Sequence, residues 1–286
     1  MMLSNRKQRT PLQIFEEVFK WLAFLAITVC NLLPFLWGFL TSIKTTAEIN
    51  TFPPKFFNFS ATFEHYSTVL GSNFPVALRN SILYSIVTIV ICAICSIMFA
   101  YAFTRCRFRG KKLAFYLILF GIPLSMGSAA LVVPNYLLFS YVNLVSKWYT
   151  LPLIYVSYNL PMSCWVMIGG MEGVPTAIDE AAMIDGASKS YIIFNLIPRL
   201  CTPSIACSAL LTFIGAWNEY VVSSVLVSSQ DLYPIQVSIY TYLGYFGREW
   251  GPLMASALMA VVPILVVFTF LGKLLISGLT AGAVKE

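Results

Sequence analysis

The sequence predicts an all-α integral membrane protein with six transmembrane helices and both termini in the cytoplasm. Three observations predict it. The 286 residues are 58% hydrophobic and only 10% charged, a balance that a water-facing surface cannot absorb. Five long stretches carry no charge: 80–104, 113–146, 148–171, 200–218 and 250–272. The Lys and Arg residues crowd into alternate connecting segments.

A membrane-crossing helix needs about 20 apolar residues. Taken in order, the first apolar run gives a span near 21–40. The segment before it, MMLSNRKQRT, is polar and basic. No Ala-x-Ala site follows the run, so it reads as a retained helix and not a removed signal peptide. The charge-free stretches give spans near 80–103, 113–138, 148–171, 203–227 and 251–272. The stretch 113–146 is too long for one helix, and its excess, 139–146, is placed in an outer turn. With the N-terminus inside, 13 of the 18 Lys and Arg residues fall on inner segments, as the positive-inside rule requires. The bilayer is therefore the chain's first partner, and the inner membrane its expected place.

The largest outer segment is 41–78. Its stretch TFPPKFFNFS reads as a stiff, extended piece near the headgroups, followed by a short interfacial helix from about Phe63. His65 is the sole histidine and reads as exposed and incidental, not as a metal ligand. Cys92 and Cys95 are spaced CxxC, but they sit mid-span, where small polarisable packing residues are the expectation.

The loop 173–200 is the one polar, ordered stretch between two spans on the inner side. It reads as two short helices with a bend. Pro175 suits a first helical turn. Asp179 and Glu180 complement the dipole near that end. Gly186 follows Met183 and Ile184 as a helix-ending glycine. Ser188 can cap a second helix from Lys189 to about Ile197, which Pro198 and Pro203 stop or kink.

Chemistry has few carriers. There is no G-x-x-x-x-G-K-[ST] phosphate loop, no G-x-S-x-G elbow and no H-E-x-x-H helix, so the chain reads as no enzyme and needs no cofactor of its own. Nothing suggests nucleic-acid binding. Glu219 is the notable charge within a span, flanked by Trp217, Asn218 and Tyr220. Buried charge marks a cavity or an inter-helix pair, and amides, carboxylates and aromatic faces are what sugars bind. The same residues could instead join helices or hold a gate. Asn159 lies before Pro161 in the fourth span, where its amide can answer the backbone bond that the proline removes.

Glu180-Ala181-Ala182, then Asp185-Gly186-Ala187-Ser188, then Leu196-Ile197-Pro198 resembles the EAA signature of ABC importer permeases, in the carbohydrate-uptake, smaller maltose-type branch. Phe213 to Tyr220 resembles that branch's fifth membrane helix, and Ser277 to Lys285 its C-terminal tail. Pro198 falls one position earlier than the family's usual proline. The resemblance implies the type I ABC importer permease fold. It also implies a second, homologous permease subunit, two ATP-binding subunits that hold ATP and Mg, and an external solute-binding protein. The cargo would be a sugar or oligosaccharide. Carried over, Glu180 is the polar contact to the ATPase, Ala181 and Ala182 permit close approach, and Gly186 allows the bend, with Asp185, Ala187 and Pro198 completing the coupling loop. The rival readings are an ion-coupled secondary transporter, for which only Glu219 qualifies, and a membrane scaffold.

Overall fold

The computed structural model describes the backbone of residues 11–126, 128–244 and 247–283, with the side chains of 16–124, 129–244 and 247–274. The basic N-terminal residues Arg6, Lys7 and Arg9 and the side chains of the tail from Ser277 lie outside these limits. Among the described residues the chain is helical, with one isolated bridge between Lys44 and Ala61.

Twelve helices set the frame. They are α1 (Pro11–Ser42), α2 (Glu64–Leu70), α3 (Phe74–Arg105), α4 (Lys111–Met126), α5 (Val132–Tyr141) and α6 (Thr150–Glu172). Then come α7 (Thr176–Ile184), α8 (Lys189–Leu200), α9 (Thr202–Trp217), α10 (Ser223–Leu226), α11 (Ile235–Tyr240) and α12 (Trp250–Ala283). By length and composition α1, α3, α6 and α12 can each cross a bilayer, and two bent pairs bring the possible total to six.

Both bent pairs depart from a simple run of straight spans. The stretch 113–138 is not one helix: α4 and α5 diverge by 97°. Pro134 suits the restart. A proline ring collides with the carbonyl four residues back and brings no N–H, so it is best tolerated in a first helical turn, where α5 holds it. The stretch 203–227 is not one helix either, because α9 ends at Trp217 and Ser223 opens the separate α10. Before it, α8 meets α9 at 84°.

The helix α3 is the central post. It packs against α6 and α9, while α4 lies on α6, α9 on α12, and α12 on α1. Close approach of α6 and α9 rests on Gly170. A Cβ there would lie 2.0 Å from Ser204 Oγ and 2.5 Å from Ser204 Cβ. We expect Gly170→Ala to cost about 1–3 kcal/mol, the range for overpacking a fitted contact. A thermal unfolding curve in detergent should show the loss, and Ser204→Gly should recover part of it.

Three apolar clusters follow the bundle. One, next to the loop 173–200, joins Ile97, Tyr101, Met167, Met171, Ile192 and Ile197. At the far end Val69, Phe74, Phe213, Trp217 and Ile235 form a second. The third gathers Tyr84, Leu151, Tyr155 and Leu226. Helix α1 stays almost bare, with Trp21, Phe24, Leu33 and Phe35 exposed.

The far end carries the segment 43–73. His65 is buried there and not exposed as the sequence suggested: it is 5% accessible and its Nε2 lies 2.8 Å from the Lys44 carbonyl. It does a packing job, its ring lying against Gly251, where any Cβ would clash. Glu48 accepts the Ser60 N–H and the Thr45 hydroxyl, which together hold its carboxyl below the ordinary value.

Candidate functional site

The bent loop is built from its residues as follows. Pro175 sits just before α7, with extended backbone (φ −60°, ψ 135°), so the helix begins at Thr176, one residue later than the sequence suggested. Proline fixes φ near −65° and blocks helix on its N-terminal side, which suits a capping position. At the other end Gly186 has φ +87°. Its N–H donates to the Met183 carbonyl at 3.1 Å, and the Ala187 N–H donates to the Ala182 carbonyl at 2.9 Å. These two bonds are the Schellman closure, which needs a left-handed residue where Gly186 stands.

Ser188 then caps α8, its hydroxyl accepting the Tyr191 N–H at 3.2 Å. The helix does not stop near Ile197: it runs through Pro198 to Leu200 by widening into a π turn over Ile192–Leu196. The wide turn solves two problems. It absorbs the N–H that Pro198 lacks. It also lets Ile192 and Ile197, five apart, both reach zero exposure in the same cluster.

What the loop presents outward is mixed. Glu180, Ala181, Asp185 and Gly186 are exposed, and Ala182 and Ala187 are partly covered. Beside them Ile184 is 86% exposed and Tyr191 51%. Ala182, Asp185, Gly186, Ala187, Ser188, Tyr191 and Leu196 line an open cleft in the angle of the bend. Bare apolar side chains flanking a carboxylate on a rigid helix are what a protein partner would cover.

The loop is anchored by a pair the sequence reading missed. Asp179 faces inward, 3% accessible, and its Oδ2 accepts the Arg105 Nε–H at 2.6 Å. Arg105 Nη2 donates to the Val174 carbonyl at 2.7 Å. The signal was present: Asp179 stands next to Ile178 and three residues before Ala182, on the apolar side of α7, where a carboxylate needs a partner.

The residues proposed for a path separate into different roles. Trp217 is 1% accessible, stacked on Phe213 at 5.2 Å inside the far cluster. Glu219 is turned to backbone: its carboxylate accepts the Val222 N–H at 2.8 Å and the Ser223 N–H at 3.0 Å. In a continuous helix those two groups would bond to carbonyls of 218 and 219, so Glu219 is what ends α9 and starts α10. Ser223 also donates to Glu219 and lies 2.7 Å from the Tyr155 hydroxyl. Tyr220 stacks on Tyr240 at 4.0 Å. Asn159 does not answer the bond removed by Pro161. Its amide donates to the Tyr155 carbonyl at 2.8 Å, whereas the missing N–H of residue 161 would have met residue 157.

Two of the five do share a face. The Asn159 carboxamide lies against Gly215 of α9, where a Cβ would come within 2.2 Å of its oxygen. Gly215 and Asn218 are both exposed, one turn apart. Nearby, Asn135 donates to the Tyr158 hydroxyl at 2.5 Å. Asn159 and Asn218 therefore give this apolar bundle a polar stripe, and the Asn135–Tyr158 pair adds polar groups next to Asn159 in the chain.

Comparison with known proteins places this architecture. Residues 10–280 match the family described as binding-protein-dependent transport system inner membrane component. The trehalose/maltose transport system permease protein MalG of Thermococcus litoralis is 33% identical, covering 94% of this chain and 99% of its own. A crystal structure of a bacterial ABC transporter involved in the import of the acidic polysaccharide alginate has a chain of the same fold. It superimposes with a TM-score of 0.78 at 21% identity, over 93% of this chain and 98% of that one. A second, of the bacterial alginate ABC transporter in complex with alginate pentasaccharide-bound periplasmic protein, gives a TM-score of 0.63 at 18% identity, over 92% and 96%. The multi-pass helical bundle, the capped bend and the family match over nearly its whole length lead to one conclusion: the chain belongs to the family of inner membrane permease components of binding-protein-dependent transport systems, with the type I ABC importer fold.

Proposed function

We propose that this permease carries a sugar or oligosaccharide inward as one half of an ATP-driven importer. The bend between α7 and α8 would lie in the cytoplasm, and so would both termini. The distribution of basic residues supports that orientation, since 13 of 18 fall on the segments it places inside. The sugar reading is supported by the trehalose/maltose relative. A second, homologous permease would close the path against the polar stripe of Asn159 and Asn218. A solute-binding protein would deliver cargo from outside; the alginate transporter's complex with an alginate pentasaccharide-bound periplasmic protein supports this. Two ATP-binding subunits would hold ATP and Mg, because this chain carries no phosphate loop.

One observation carries the coupling role: a short helix, pinned by a buried ion pair, that nonetheless offers Glu180 beside a bare Ile184. ATP-driven closure of the two ATP-binding subunits would draw these bends together, tilt α6 and α9, and turn the path from inward-open to outward-open.

The test is co-purification. Glu180→Lys should weaken retention of the ATP-binding subunit about tenfold or more, because a like-charge contact replaces an attractive one. Permease yield should hold, since the Glu180 side chain has no hydrogen bond or ion pair among the described residues to lose. Full retention of the subunit by this variant would remove Glu180 from the contact.

A further inference from the structure

We infer that Arg105 is a positioning residue for transport, the strut that makes the coupling helix and the membrane bundle move as one body. The inference rests on the reading that α7 docks an ATP-binding subunit. Arg105 is the last residue of α3, the central post. Its side chain is only 10% exposed. Its neighbours Arg107, Arg109 and Lys112 point to solvent, and Lys111 lies over the Phe103 ring. Arg105 alone turns inward.

It joins three elements. Nε reaches Asp179 in the first turn of α7, and Nη2 reaches the carbonyl of Val174 in the turn between α6 and α7. Without it, α7 would be held to the bundle only by its two chain connections, 173–175 and the bend at 185–188, and by apolar contacts, which slide more readily than a directed ion pair. The other carboxylate oxygen of Asp179 is buried with no partner among the described residues, so the anchorage passes through the one oxygen that Arg105 holds. A guanidinium can aim two donors in fixed, different directions, and an ammonium on a flexible stem does so poorly. The consequence is mechanical. A push on α7 from the cytoplasm reaches α3 directly, and a change at the outer end of α3 returns by the same route, since coupling between two sites is reciprocal.

The experiment uses the assembled transporter: both permeases, the ATP-binding subunit, and the solute-binding protein presented empty and with maltose as probe. The readout is the factor by which the binding protein stimulates ATP hydrolysis. In Arg105→Gln the ATP-binding subunit should still co-purify, while the stimulation factor drops about tenfold, within the usual range of coupling between sites. Arg105→Lys should fall between, and the exchange Arg105→Asp with Asp179→Arg should recover part of the factor. Arg105→Leu with Asp179→Leu leaves no lone buried charge, the costly state, so it should assemble and still be poorly stimulated. A wild-type factor in Arg105→Gln or in the double leucine variant overturns the inference, even where yield is reduced. An ATP-binding subunit that never co-purifies with the wild type overturns the docking reading as well, and so separates the two failures.

Discussion

Gly186→Val is expected to abolish sugar uptake by the assembled transporter, with the permease still folded in the membrane. The argument is conformational. Gly186 has φ +87°, and no atom lies within 4 Å of where its Cβ would stand. Space is therefore not the obstacle. A β-branched residue in the left-handed region costs roughly 1–3 kcal/mol, and the chain can escape that cost by turning φ negative. Doing so breaks the two closing bonds to Met183 and Ala182 and swings α8 away from its angle to α7. Ala182 and Ala187 then leave the cluster around Ile192 and Ile197. The readouts are retention of the ATP-binding subunit and uptake per ATP hydrolysed. Gly186→Asn should be much milder, because asparagine enters the left-handed region more readily. A valine variant that transports as well as wild type would show that the bend does not transmit force.

The second large effect is expected at Glu219. Glu219→Ala removes the acceptor for the Val222 and Ser223 N–H groups, in a part of the bundle where Val222 and Ser223 are fully buried. Each buried donor left without a partner costs about 1–3 kcal/mol. The start of α10 should fray, taking with it Leu226 and the Ser223–Tyr155 contact. A drop of several degrees in the unfolding midpoint should follow, at roughly 2–4 °C per kcal/mol. Glu219→Gln keeps the shape and one acceptor oxygen, so it should lose much less. If the glutamine variant keeps its midpoint yet loses stimulation by sugar, Glu219 touches cargo as well as backbone.

How much of this was legible beforehand differs by residue. The capped bend was readable because its signals are local: Gly186 after an apolar pair, Ser188 before the next helix, and acidic residues at the first turn. Helix existence was readable from charge-free length, since a bilayer tolerates little else. The breaks were not. Pro134 hides inside an apolar run, and charge counting is blind to it. Glu219 announced itself as an intramembrane charge, yet whether a carboxylate faces a path or caps the next turn depends on where the backbone three and four residues on is placed. His65 was misjudged for a similar reason: its burial comes from Gly251, far along the chain. The Arg105–Asp179 pair spans 74 positions, and only the inward register of Asp179 hinted at it.

One feature of the architecture bears on how the protein is made. Helix α1 leans on α12, where a Cβ added at Gly38 would stand 3.5 Å from Met254 Sδ, and α12 is its main helical neighbour among the described residues. During synthesis α1 must therefore wait in lipid for its main helical neighbour until α12 has been made. A chain cut short before Trp250 lacks that neighbour, so such products should be cleared by proteases while chains that carry α12 persist.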